Sequence, residues 1–373
     1  MALGLAANSI IISQNKAFTS FSLSASKLLS NRPSHPQSQR ICPITITATA
    51  SSSIAKATLS DFQVQDSNPT STSTTWSEFA RNVSGEWDGY GAEFSKEGMP
   101  IELPESVVPE AYREWEVKVF DWQTQCPTLA EPEGQDRLLT YKSIKLLPTV
   151  GCEADAATRY SIDERSVGGG EDNNKVSAFA YQASGSYVAV WPIEDLGTHK
   201  LLELELEYCL VNPQDRESRV RIIQVVRVDS EKKMVLQKVR VFREQWYGPF
   251  RNGEQLGGCA IRDSGFAATD PTEALQVVGV WQGPHAVVSF DPSQNVSYDL
   301  LQELVDGDGD VRKSVRDECG LILLPKQLWC SIKESRDDET WSEVGWLFDH
   351  GRAITSRCIF AAGKLKASLY IYI

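Results

Sequence analysis

Two antiparallel β-barrels in tandem, the second smaller or incomplete, are the all-β fold that the sequence predicts, on three observations. Gly85-Glu-Trp87-Asp-Gly89 returns as Gly279-Val-Trp281-Gln-Gly283, and a patterned segment that occurs twice marks an internal repeat. Residues 201–208 alternate strictly, with Leu202, Leu204, Leu206 and Tyr208 on one side and Glu203, Glu205 and Glu207 on the other. That pattern predicts a strand with one dry and one wet face. Each half also closes on an arginine-led hairpin, RVRIIQVVRVDSEKKMVLQKVRVF from Arg219 and RAITSRCIFAAGKLKASLYIYI from Arg352. The interval from tryptophan to closing arginine is shorter in the second half, so the second barrel is expected to be the smaller.

The chain has 373 residues, 41% hydrophobic and 23% charged, enough for two cores. Residues 1–60 contain no acid, five basic residues and thirteen serines, the composition of a plastid transit peptide and flexible leader. The expected location is the chloroplast stroma. Residues 61–75 read as a linker, 76–245 as the first barrel, 246–273 as a second linker and 274–373 as the second barrel.

Thr75 and Glu78 form a capping box, so a helix is expected to start there and bury Trp76, Phe79 and Val83. Gly85 to Gly89 then launches a strand in which a tight glycine approach lets the Trp87 ring turn under the barrel floor. Residues 99–112, with Pro100, Pro104 and Pro109, read as a connection, and 113–123 as a strand alternating Trp115, Val117 and Val119 with charged neighbours. Further strands are expected at 137–147, 186–193, 219–228 and 234–243, with a flexible loop from Gly168. Residues 246–253 break the periodicity and mark the boundary. Strands at 274–281, 286–290, 320–324, 328–333, 343–348, 354–361 and 366–373 make up the second half.

A glycine-x-tryptophan on the first strand with an arginine on the closing one resembles the calycin superfamily, the lipocalin-like barrels. There the arginine lies over the tryptophan. More closely, Trp76, Phe79, Asn82, Gly85, Trp87 and Gly89, followed by Arg219, Arg221 and Glu244, resemble a family of cyanobacterial and plastid proteins formerly of unknown function. Gly279, Trp281, Gly283, Leu324, Pro325, Gly345, Trp346 and Arg352 are similar to that family's second half. Its plant member is a biogenesis factor required for ATP synthase. The resemblance implies a stromal assembly factor, non-catalytic and monomeric, that binds the β and/or γ subunits of the soluble ATP synthase head. It departs from the family where the second Gly-x-Trp-x-Gly lacks a preceding Trp and Phe helix, and where Arg357 competes with Arg352 for the closing role. A calycin-type binder of a small apolar ligand or pigment, or a bilin-lyase-like chromophore attachment protein, is the alternative.

The sequence offers little for chemistry. His199, His285 and His350 are isolated, and no Walker loop or Gly-x-Ser-x-Gly elbow occurs. Asp306-Gly-Asp308-Gly-Asp310 starts like an EF-hand loop, but Val311 stands where the turn needs glycine, so a solvated acidic loop is expected. Glu203, Glu205 and Glu207 read as a solubility pattern. Seven cysteines after residue 60 are scattered without Cys-x-x-Cys, which in a reducing stroma reads as buried free thiols. No catalytic residue, metal or cofactor is expected. The net charge of −13 opposes nucleic acid as a partner, and no apolar run has membrane-spanning length. Within that acidic chain, residues 216–251 carry ten Lys/Arg against four Asp/Glu. This is either the charged outer face of a hairpin or a basic docking stripe of Arg227, Lys232, Lys233, Lys238 and Arg240, with Trp246, Tyr247 and Phe250 as aromatic anchors.

Overall fold

In the computed structural model, residues 72–132, 137–148, 159–169, 176–193, 202–254, 265–290, 301–307, 311–335, 338–348 and 351–372 are described. The expected leader and most of the first linker lie outside them. Helix α1 (Thr72–Val83) begins three residues before the expected capping box, so Thr75 is inside the helix. Trp76, Phe79 and Val83 are buried as the periodicity requires. Gly85, at φ 142°, then turns the chain into β1 (Glu86–Ser95).

The first half continues with β2 (Asp121–Gln125), β3 (Thr128–Ala130), β4 (Leu138–Leu146), β5 (Arg159–Gly168), β6 (Ala178–Tyr181), β7 (Tyr187–Ile193), β8 (Leu202–Val211), β9 (Ser218–Val228) and β10 (Met234–Gly248). The second half adds β11 (Gly279–Gly283), β12 (His285–Ser289), β13 (Leu301–Glu303), β14 (Val305–Asp306), β15 (Arg312–Arg316), β16 (Leu321–Leu324), β17 (Leu328–Glu334), β18 (Glu339–Leu347), β19 (Ala353–Ala361) and β20 (Lys364–Tyr372). The protein is therefore mostly β.

An 11-stranded sheet runs β13-β6-β7-β8-β9-β10-β1-β2-β4-β3, with β5 pairing β4. A seven-stranded sheet runs β14-β12-β20-β19-β18-β17-β16, and β11 pairs with β15 in a separate two-stranded ribbon. The first sheet curls. Arg165 on its edge strand β5 reaches Glu207 on β8, at 3.2 Å, across the concave side.

The dry face of β8 turns to the convex side. Leu204, Leu206 and Tyr208 join Val220, Ile222 and Val226 of β9 in one core with Leu328, Cys330, Val344, Ile354 and Phe360 of the second sheet. The Tyr208 hydroxyl donates to Ser342 Oγ at 2.5 Å, and Ser342 donates to Gln224, which joins the two sheets by a buried polar chain.

Three expectations are corrected. Residues 113–123 are not one strand: Pro109 opens a short helix, α2 (Glu110–Glu114), and Glu116 takes φ 55°, so the alternation of Trp115 and Val117 points to solvent at 63% and 46% exposure. Residues 274–281 are likewise a helical turn, α3 (Ala274–Val277), followed by β11. Residues 246–248 belong to β10, and the amides of Phe266 and Ala267 donate to Asp121 at 2.8 and 3.0 Å. β13 of the second half pairs in parallel with β6 of the first sheet and covers an edge that would otherwise be bare. Among the cysteines, Cys126, Cys209, Cys330 and Cys358 are free and buried, whereas Cys319 is disulfide-bonded.

Candidate functional site

The concave face of the first sheet is built by the same alternation that was read as a wet face. Glu203, Glu205 and Glu207 point into it, yet Glu205 is 7% and Glu207 0% exposed. A buried carboxylate needs donors on all sides. Glu207 has five. Oε2 accepts from the Tyr141 hydroxyl at 2.6 Å, Trp191 Nε1 at 3.1 Å and Arg165 Nη1 at 3.2 Å, and Oε1 accepts from the Tyr187 hydroxyl at 3.0 Å and Arg221 Nη1 at 3.1 Å. Burial alone would raise its pKa, but Arg165 and Arg221 outweigh it and hold the group at about 2. The expectation of a solubility pattern fails here because the sheet curls and brings β4 and β5 over these glutamates, while Tyr187 and Trp191 of the neighbouring β7 flank them.

The ion network continues toward the repeat motif. Arg221 Nη2 donates to Glu244 Oε1 at 2.7 Å, and Arg219 Nε donates to Glu244 Oε2 at 2.6 Å. The Arg219 guanidinium lies 4.2 Å from the Trp87 ring centroid, the contact that the calycin resemblance implies. Trp87 Nε1 in turn donates to Val83 O at 2.9 Å and closes the end of α1. Asn82 Nδ2 donates to Ala183 O at 2.7 Å, tying the helix to the β6–β7 turn. A Cβ on Gly89 would stand 1.8 Å from Arg243 O, so only glycine lets β10 approach there.

The second motif repeats this locally. Gly279 shares φ 142° with Gly85, and Trp281 Nε1 donates to Val277 O at 2.7 Å, again four residues back. The arginine over it is neither Arg352 nor Arg357. Arg352 is exposed and only its carbonyl is used, accepting from Phe348 N at 2.6 Å. Arg357 sits over Trp341 at 5.2 Å. Arg316, on the ribbon strand paired to Trp281's own strand, takes the place at 5.5 Å.

Between β5 and β7 the concave face opens as a cleft of ≈ 1230 Å³. Tyr141, Arg165, Trp191, Glu205, Arg240 and Phe250 line it. Arg165 and Arg240 both pair with Glu205 on its floor. Of the expected docking stripe, the structure places Arg240 and Phe250 in this cleft. Lys238 pairs with Glu93 at 3.0 Å, Arg227 with Glu203 at 3.1 Å and Lys233 with Glu231 at 3.3 Å. Lys232 sits at the exposed hairpin tip with φ 64°. Trp246 and Tyr247 are 37% and 43% exposed at the end of β10, beyond its last pairing with β9. The stripe is thus mostly a series of ion pairs, two of them to the glutamates of the concave face, with an aromatic pair at one end.

Sequence reasoning missed Tyr141, Arg165, Tyr187 and Trp191. A usable signal existed for part of the network: Arg219 on β9 stands directly opposite Glu244 on β10, and Arg221 is diagonal to Glu207 on β8, so opposite charges recur at i, i+2 spacing on adjacent strands.

No protein-family model matches the chain. No curated protein matches it. Among solved structures, a protein of unknown function from Nostoc punctiforme, of the DUF3598 family, is similar over 80% of this chain and 97% of that chain, at 13% sequence identity and a TM-score of 0.44.

Proposed function

We propose that the protein is a non-catalytic stromal assembly factor that holds the β and/or γ subunit of the chloroplast ATP synthase head before the subunits join. The partner comes from the family resemblance of the Gly-x-Trp-x-Gly segments and the residues around them. The docking role is carried by one observation, the exposed aromatic pair Trp246 and Tyr247. Trp246 Nε1 donates to Ser84 O at 3.3 Å and its strand is clamped by β1, so the pair is held in place before a partner arrives. Rigid aromatic anchors lose little conformational freedom on binding. Arg227, Lys232 and Lys233 are exposed at the far end of the same hairpin, Arg227 and Lys233 in solvent-facing ion pairs, and supply positive charge in an acidic chain. Lys238 and Arg240 are committed to internal carboxylates and contribute less. The fold that accompanies this reading is a pair of calycin-like barrels, supported by the curled first sheet and by an arginine over the tryptophan in each half.

Titrating purified β and γ subunits against the protein tests the proposal. Trp246→Ala with Tyr247→Ala is expected to weaken binding about tenfold or more, mainly through faster dissociation. Reversing Arg227, Lys232 and Lys233 to Glu should slow association and flatten its salt dependence. A folded aromatic double variant that binds both subunits as tightly as the original protein overturns the reading.

The cleft favours a second reading, a binder of a small organic ligand, because its size and its mixture of aromatic walls with a few charged groups are those of a ligand site.

A further inference from the structure

A smaller recess of ≈ 40 Å³ adjoins the cleft and shares Asp163, Arg165 and Arg240 with it. Lys145, Arg165, Arg221 and Arg240 bring four cationic side chains to its wall, and Asp163 is the sole carboxylate there. Glu205 and Glu207 lie below and are already shared among the guanidiniums. Arg240 Nε is buried and has no acceptor. A buried charged donor without an acceptor is costly, so the recess is short of a negative oxygen. Burial, with Arg240 and Lys238 nearby, also pushes the Lys145 ammonium below the usual lysine range in spite of Glu93. An anion between these groups would reverse that pressure.

Size narrows the class. About 10–15 Å³ of such volume holds one water-sized group, so the recess takes about three non-hydrogen atoms, the number in a carboxylate. Trp191, Ile193, Pro127 and Phe250 on the adjoining cleft wall offer apolar surface to whatever carries that carboxylate. We infer that the cleft binds an organic carboxylate whose acid group sits in the recess against Arg240 Nε and Lys145, while its apolar body lies along Trp191 and Phe250. This rests on reading the cleft as a small-molecule site.

The probe is 9-anthracenecarboxylate, compared with the neutral 9-anthracenemethanol, titrated by fluorescence into the full chain. The acid is expected to bind at least about tenfold more tightly than the alcohol, the difference made by one charge-assisted contact. Arg240→Gln should remove that preference. Ser161→Asp, an exposed edge-strand position directly across from Lys145, puts a competing carboxylate at the recess wall and should weaken binding of the acid alone. Phe250→Ala should weaken both probes equally. If neither probe binds, the cleft is not a small-molecule site and the inference falls with that reading. If acid and alcohol bind equally, both weakened by Phe250→Ala, the cleft reading stands and the carboxylate assignment is overturned. Ser161→Asp binding the acid as tightly as the original protein overturns it as well.

Discussion

Glu207 holds two arginines, two tyrosines and a tryptophan in one place, so removing its charge leaves Arg165 and Arg221 without a partner on that side. Breaking a buried pair by deleting one member costs about 3–5 kcal/mol, and Glu207→Gln is expected to lie in that range at pH 7, read by urea denaturation. The pH dependence has a definite sign. Its carboxyl is held at about 2 in the folded chain against an ordinary 4.5, so its stabilisation is fully present above pH 4.5 and is lost as pH falls through 2. Asp88 acts oppositely. Burial, and then the charge of Glu86, lift it from 3.8 to about 7. The folded chain keeps a proton that the unfolded chain has released, so stability declines as pH rises from 3.8 to 7. Asp88→Asn should abolish that decline and stabilise the protein at pH 8 by about 2–4 kcal/mol. A variant with the same pH profile as the original protein would show that Asp88 is ionised in the fold.

At the scale of elements, the repeat was legible because its requirements are local. A glycine at φ 142° followed by a tryptophan that reaches back four residues needs no distant partner, and both copies form it. The role of β8 was not legible: strict alternation shows that a strand has two faces, but what covers each face is decided by where β4 and β5 come to lie. The same ambiguity made Trp115 and Val117 resemble one face of a strand when both lie exposed beside Glu116, whose backbone breaks any extended run. The two copies of the motif also differ in a testable way. A Cβ on Gly85 would come within 2.2 Å of Trp246 Nε1, whereas one on Gly279 would meet nothing within 4 Å. Alanine at either position strains the backbone. Gly85→Ala must also displace Trp246, so it is expected to cost about 1–2 kcal/mol more than Gly279→Ala, and urea midpoints of the two variants measure the difference.

On the scale of the whole molecule, tandem barrels joined by a linker would come apart when the linker is cut. The contacts argue for the opposite result. β13 from the second half pairs with β6 of the first sheet, and Phe266 and Ala267 are anchored on Asp121. The largest apolar core draws from both sheets, and Tyr208, Gln224 and Ser342 form a hydrogen-bonded chain inside it. Separating the halves would expose that core and strand those polar groups in each fragment. With a protease site engineered into residues 255–264, the cut protein is therefore expected to elute as one species under native conditions and to unfold in a single transition. Either half expressed alone should lack cooperative unfolding, with Ser342→Ala weakening reassociation of the cut halves. Two fragments that separate after cleavage and each unfold cooperatively would instead mean that every half carries its own sufficient core, and that the shared face is a docking contact between independent barrels.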